Sequence, residues 1–264
     1  MRTSRTTSNW LMSCNGLKAD KTSLFPMRSL EKAGPMRSNN GFVDEMVRFR
    51  FPLYTVAEAA RIVGVPRQIL AGWAQRYGLV SYVPPEGRFC PAVPFVGLAE
   101  AMVLAGLLRS GVSMRRIRPA VRALDGLMGL DHVLASRRLY SDGVELLFDY
   151  AEERWGGFGL SGLVVVRSGQ RVFAEVVMGF LENIVYGEDG YPVLMRVPAY
   201  EVAEVVVDPK MSSGQPIFSC GAARVEDVLD RYGAGTSLEV VSKDYGVPTD
   251  HIEDALRVAS FQAA

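Results

Sequence analysis

Cysteine is scarce in this chain, and its three copies, Cys14, Cys90 and Cys220, stand far apart with no Cys-x-x-Cys or Cys/His spacing. An odd number of isolated cysteines excludes a disulfide framework and a structural metal site, and they are expected to be reduced thiols. Histidine is scarcer still: His132 and His251 each stand beside an acidic residue, with no Ser or Cys nucleophile motif attached. Both are expected to be surface histidines, not catalytic bases. Long apolar runs are missing as well, so no segment approaches the roughly 18 to 20 residues that span a bilayer. Arg2 and Arg5 lead into no apolar h-region, which argues against a secretory signal. Although glycine is plentiful, no Gly-x-x-x-x-Gly-Lys-Ser/Thr and no Gly-x-Gly-x-x-Gly between strand and helix occurs. No catalytic residue, cofactor, metal or membrane contact is therefore expected, and the chain reads as a cytoplasmic protein that is not an enzyme.

Net charge is also lacking, because 29 basic and 29 acidic side chains cancel over the 264 residues. The cancellation hides an asymmetry. Residues 46–140 carry 13 basic and 5 acidic side chains, whereas 141–264 carry 9 and 20. Such a division predicts an anion-binding part joined to a part that repels anions. With 48% hydrophobic residues the chain has the means to bury a substantial core.

Residues 1–45 are rich in Ser, Thr, Asn, Gly and Lys/Arg and follow neither a helical nor a strand period, so a disordered leader is expected there. Regular patterning begins near Met46. Thr55 followed three residues later by Glu58 is a capping box, and Val56, Ala59, Ala60 and Val63 make one apolar helical stripe. Gly64 should stop that helix, and Pro66 should open a second that buries Ile69, Leu70, Trp73 and Tyr77. Two short helices joined through Gly-Val-Pro have the shape of a helix-turn-helix, whose second helix can enter a major groove. Pro84-Pro85-Glu86-Gly87-Arg88-Phe89 reads as the hairpin turn of a wing. Further helices are expected over Val96 to Ser110, carrying Leu98, Met102, Ala105 and Leu108, and after Ser113, with Ile117, Val121 and Leu124 inward. Arg115, Arg116, Arg118 and Arg122 of the latter remain to solvent, and Arg115, Arg116 and Arg118 form a basic cluster open to phosphate, to an acidic protein or to solvent alone.

Residues 54–129 resemble the MerR-type winged helix domain, on Tyr-Thr-Val-Ala-Glu-Ala-Ala-Arg-Ile-Val-Gly-Val-Pro, Trp73, Gly78-Leu79-Val80, Gly87-Arg88-Phe89 and Ser110-Gly111-Val112-Ser113. Arg67, Gln68, Gln75 and Arg76 lie off the apolar face of the second helix and are candidates for base edges or phosphates, and Arg88 in the wing for phosphate.

From 131 to 206 the period changes to alternation. Asp142-Gly143 before Val144 to Phe148, and Asp189-Gly190 before Tyr191 to Val197, signal hairpins. Val172, Val176, Phe180 and Ile184 repeat every fourth residue and predict one covering helix, giving a small α+β insert. Residues 207–264 read as an extended turn and three short helices. Val225, Val228, Leu229 and Tyr232 should bury one face of the first; Ser237 should cap the second, and Thr249 or Asp250 the third, with Asp250 and Glu253 at capping-box spacing. The third would present Asp250, Glu253 and Asp254, which a duplex would repel.

This tail resembles the short C-terminal module of unknown function found in some VapB-class antitoxins, through Asp-Pro, Gly-x-Pro-Ile, Val-Glu-Asp-Val-Leu and Ala-Gly-x-Ser-Leu-Glu in that order. The resemblance implies a type II antitoxin that silences a VapC-like PIN-domain ribonuclease toxin and represses promoter DNA, as a homodimer or higher toxin-antitoxin assembly. Ile217, Phe218, Val225, Leu229 and Tyr232 are the candidate anchors for the toxin. The expected fold is α+β: a winged helix-turn-helix over 46–130, the insert over 131–206 and a helical module over 207–264. Two other readings compete: a stand-alone MerR-like regulator whose α+β domain senses a ligand, and, more remotely, a hydrolase with a metal in the acidic tail.

Overall fold

The computed structural model of the chain describes residues 39–87, 89–109, 113–139, 179 and 182–263. It is α+β, with a helix-turn-helix unit at the front and three helices at the end. Helix α1 (Asn39–Phe49) begins before Met46, so the expectation of a disordered leader fails over 39–45. Strand β1 (Pro52–Tyr54) leads into α2 (Val56–Val63). The capping box is present: Glu58 N–H donates to Thr55 Oγ1 at 3.2 Å, and Thr55 N–H donates to Glu58 Oε2 at 2.8 Å. Two amides that the helix cannot satisfy itself are thereby paired. Gly64 closes α2 in the left-handed region at φ 73°, a conformation open to glycine at little cost.

Helix α3 (Arg67–Ala71) follows Pro66 and continues through a π turn, Gly72–Arg76. Trp73 and Leu70 lie fully inside the core. Ile69 does not: it is 43% exposed, because the buried side of α3 is taken by Leu70, Trp73 and Ala74. No strand flanks the Pro84–Phe89 turn among the described residues. The loop is closed by Val83 N–H donating to the Ala92 carbonyl at 2.8 Å, and β1 pairs antiparallel with β2 (Val93–Pro94).

Helix α4 (Phe95–Arg109) is buried from Phe95 to Leu107 on every side, as an all-apolar helix must be. Its one buried charge, Glu100, accepts from Ser81 N–H at 2.6 Å and lies 3.0 Å from His132 Nδ1. His132 is therefore no plain surface histidine. It has φ 56°, packs on Phe49, and also meets Ser81 Oγ at 2.9 Å. Both contacts fall on the same ring nitrogen, so the trio is not a proton relay, which would use one nitrogen for each partner. Helix α5 (Met114–Met128) buries Ile117 and Val121 against this core; the side chains of Arg116 and Leu124, and the whole of Cys14, lie outside what is described.

The second layer is an antiparallel sheet of order β3 (Ile184–Tyr186), β4 (Pro192–Arg196), β5 (Val205–Val207) and β6 (Ile217–Phe218). The Asp189-Gly190 turn joins β3 to β4 as expected. Ile184 is a buried strand residue, which overturns its place in a helix; Val172, Val176, Phe180 and the segment 142–148 lie outside the described residues. The sheet also runs through the division expected at 206/207, because β5 pairs with β4 on one side and with β6 on the other. After it come α6 (Val225–Gly233), α7 (Leu238–Tyr245) and α8 (Thr249–Ala263). Ser237 is the residue before α7, but its side chain makes no capping bond to the backbone. The first turn of α8 closes on the Pro248 carbonyl, and Asp250 accepts from the neighbouring His251 N–H, so Asp250 and Glu253 form no box.

Asp254 faces inward, contrary to its expected place on an acidic surface. It accepts from the amides of Val202 and Ala203 at 2.8 and 3.0 Å and from Arg257 at 2.7 Å. Burial raises its pKa, but these donors outweigh burial and hold the carboxyl below its usual range.

Candidate nucleic-acid and partner surfaces

The surface of α3 follows from what α3 buries. With Leu70, Trp73 and Ala74 inward, Arg67, Gln68, Ile69, Gln75 and Arg76 are left exposed. The five side chains form the outward face of the second helix of the helix-turn-helix, where base edges and phosphates would lie. Two of the expected residues are held: Gln75 donates to the Tyr82 hydroxyl at 3.0 Å, and the Arg76 guanidinium lies 5.5 Å from the Tyr77 ring. Arg88 lies outside the described residues, although its neighbour Phe89 is 70% exposed. Sequence reasoning missed Ile69 as a surface residue, since its place in the 3.6-residue period suits either side of the stripe.

The five expected anchors of the tail divide. Ile217, Phe218 and Val225 are core residues, 1%, 0% and 6% exposed, and so cannot meet a partner in this conformation. Their apolar character is used up by the pairing of β6 with β5 and by the core of their own chain. Leu229 is half-buried and Tyr232 is 39% exposed, so the first face of α6 is narrower than expected. Val240 of α7, 46% exposed, adds an apolar residue that the alternation of the sequence did not single out. Around them Glu226, Asp227, Asp230, Asp244, Asp250 and Glu253 remain at the surface. A hollow of about 380 Å³ separates α2 from α6; Glu58, Arg61, Tyr200, Arg224 and Leu229 are among its walls. Burial, with Asp254 nearby, pushes the Tyr200 phenol up to about 12 despite Arg61, so Tyr200 stays neutral there.

No helix among the described residues is long and apolar enough to cross a membrane, and no group of His, Cys, Asp and Glu there could hold a metal ion. Cys220 Sγ lies 3.7 Å from His251 Nδ1.

Residues 52–121 match a family described as "Putative DNA-binding HTH domain", and 205–259 match one described as "Protein of unknown function (DUF433)". The second match begins at β5, where the structure also joins the sheet to the tail. A Mycobacterium tuberculosis protein named "Putative antitoxin VapB45" is 40% identical over 227 residues, covering 80% of this chain and 95% of the relative. The uncharacterized protein Rv2308 of the same organism is 27% identical, over 77% of this chain and 88% of the relative. The crystal structure of Rv2018 from M. tuberculosis superposes with a TM-score of 0.71 at 42% identity, over 79% of this chain and 99% of that one. The MerR type is not among these matches. A capped helix-turn-helix, a DUF433 tail and this identity along nearly a whole relative agree, and the chain belongs to the family of VapB45.

Proposed function

We propose that this protein is a cytoplasmic antitoxin that binds a PIN-domain ribonuclease toxin through its tail and represses their shared promoter through α3. The observation that carries the reading is the 40% identity over 95% of VapB45, in a chain whose α3 leaves Arg67, Gln68, Gln75 and Arg76 exposed. The separation of charge supports it: the basic side chains around α3 suit phosphate, while the carboxylates of α6 to α8 disfavour it and suit a basic protein surface. Tyr232 and Leu229, with Val240, are the anchors that the surface of the tail offers to the toxin. No catalytic step is assigned to the chain.

Co-expression with the product of the neighbouring reading frame tests toxin binding. The full chain should co-purify with that product, and Tyr232→Ala with Val240→Ala should weaken the pair while the thermal unfolding of the free chain stays the same. Co-purification that survives both substitutions unchanged would move the interface away from α6 and α7. For DNA, Arg67, Arg76 and Arg88 changed together to Ala should lower the slope of log affinity against log salt by about 2 to 3, since each lost phosphate contact removes about 0.9.

A further inference from the structure

Six arginines of the described residues are each matched to an acceptor on another residue. Arg48 pairs with Asp189, Arg196 with Glu204, Arg224 with Glu226, Arg231 with Asp244 and Arg257 with Asp254, while Arg109 donates to the carbonyls of Val63 and Gly64. On α5 the pattern breaks. Arg115, Arg118 and Arg122 recur at i, i+3 and i+7, which puts them on one side of the helix. Together with Pro119 and Ala123 they line an open hollow of about 440 Å³, and no carboxylate is among its walls in the described residues. None of the three meets an acidic partner among the described residues, and the buried Nε of Arg118 has no hydrogen-bond partner there.

The position of this row relative to α3 is fixed by one ring. The Arg118 guanidinium lies 4.2 Å from the centre of Tyr77, and the Arg76 guanidinium of the α3 face lies 5.5 Å from the same ring. The basic face of α3 and the arginines of α5 are therefore one continuous surface. Seven residues of helix rise about 10 Å from Arg115 to Arg122. The phosphates of one strand are spaced about 3.4 Å along the duplex axis, so a row lying along that axis would span about three of them.

We propose that Arg115, Arg118 and Arg122 form a second phosphate-binding row, which grips the backbone of the duplex beside the stretch that α3 reads. This rests on the DNA-binding reading above. Guanidinium groups on a rigid helix suit phosphate oxygens, and contacts of this kind hold register without reading sequence. The row thus adds affinity on any duplex and leaves sequence preference to α3.

The test uses the full chain, the duplex immediately upstream of its own reading frame, and an unrelated duplex of equal length. Arg115→Ala with Arg122→Ala changes two exposed side chains and leaves Arg118 on Tyr77, so thermal unfolding should not move. The slope of log affinity against log salt should fall by about 2 on both duplexes, so that raising salt from 50 to 200 mM weakens wild type about tenfold more than the variant. Preference for the upstream duplex should be kept. If slope and affinity are unchanged while Arg67→Ala with Arg76→Ala still weakens binding, the row is refuted and the DNA reading stands. If wild type shows no salt-dependent binding to either duplex, both fall. If the double variant instead loses the neighbouring gene product in co-purification with DNA binding intact, the row serves an acidic protein and the proposal is overturned.

Discussion

Asp254 shows how much a single carboxylate can hold in this fold. Its two oxygens take the amides of Val202 and Ala203 and the guanidinium of Arg257, which itself reaches the Ala199 carbonyl at 3.1 Å. Asp254→Ala would leave two backbone donors without an acceptor in a buried site, at about 1–3 kcal/mol each before relaxation. Urea denaturation at pH 7 should therefore show a loss of about 2–4 kcal/mol, and a change within error would mean that water replaces the carboxylate. The dependence on pH has a definite sign. A carboxyl whose folded pKa lies below the unfolded value of 3.8 contributes fully above that value, and the contribution is lost as pH falls through the folded one. The gap between wild type and Asp254→Ala should accordingly be constant near neutrality and narrow progressively below about pH 4.

At the scale of elements, α3 is the part whose sidedness matters most, and Trp73 sets it. Trp73→Ala removes a fully buried indole from the core that also holds Leu70 and Tyr54, which should cost about 3–5 kcal/mol. Chemical denaturation of the full chain measures it, and a cost below about 1 kcal/mol would place the indole outside the core. The same helix marks the border of what the sequence could tell. Thr55, Glu58 and Gly64 act on atoms within four residues of themselves, so their chemistry was readable in the one-dimensional order. So was the turn at Asp189-Gly190. Ile69, Asp254 and Ile184 were not: each took its environment from elements far along the chain, where periodicity carries no signal. Ile217 and Phe218 read as surplus to a helical tail because their pairing partner, β5, lies across the segment boundary expected at 206/207. For the candidate site, the exposure of Arg67, Gln68, Gln75 and Arg76 was legible, whereas the joining of α5 to α3 through Tyr77 depended on a contact across 41 residues.

At the scale of the whole molecule, the front and the tail share one apolar core that runs from Tyr54 and Leu98 through Val205 and Phe218 to Ile252. Polar bonds cross the same seam: Arg48 pairs with Asp189, and the buried Tyr54 hydroxyl donates to the Gly214 carbonyl at 2.8 Å. Tyr54→Phe should strand that carbonyl at a cost of about 1–3 kcal/mol. Because the bond joins β1 to the tail, native-state hydrogen exchange should show amides of α4 and of β5 losing protection together; loss in β5 alone would mean that the tail opens as a separate unit. Gly214 is constrained twice, by φ 77° and by the Tyr54 oxygen, which a Cβ would approach to 2.6 Å. The consequence reaches to chimaeras: a tail grafted from another protein would seat on this helix-turn-helix without displacing Tyr54 only if it carried a glycine at that corner.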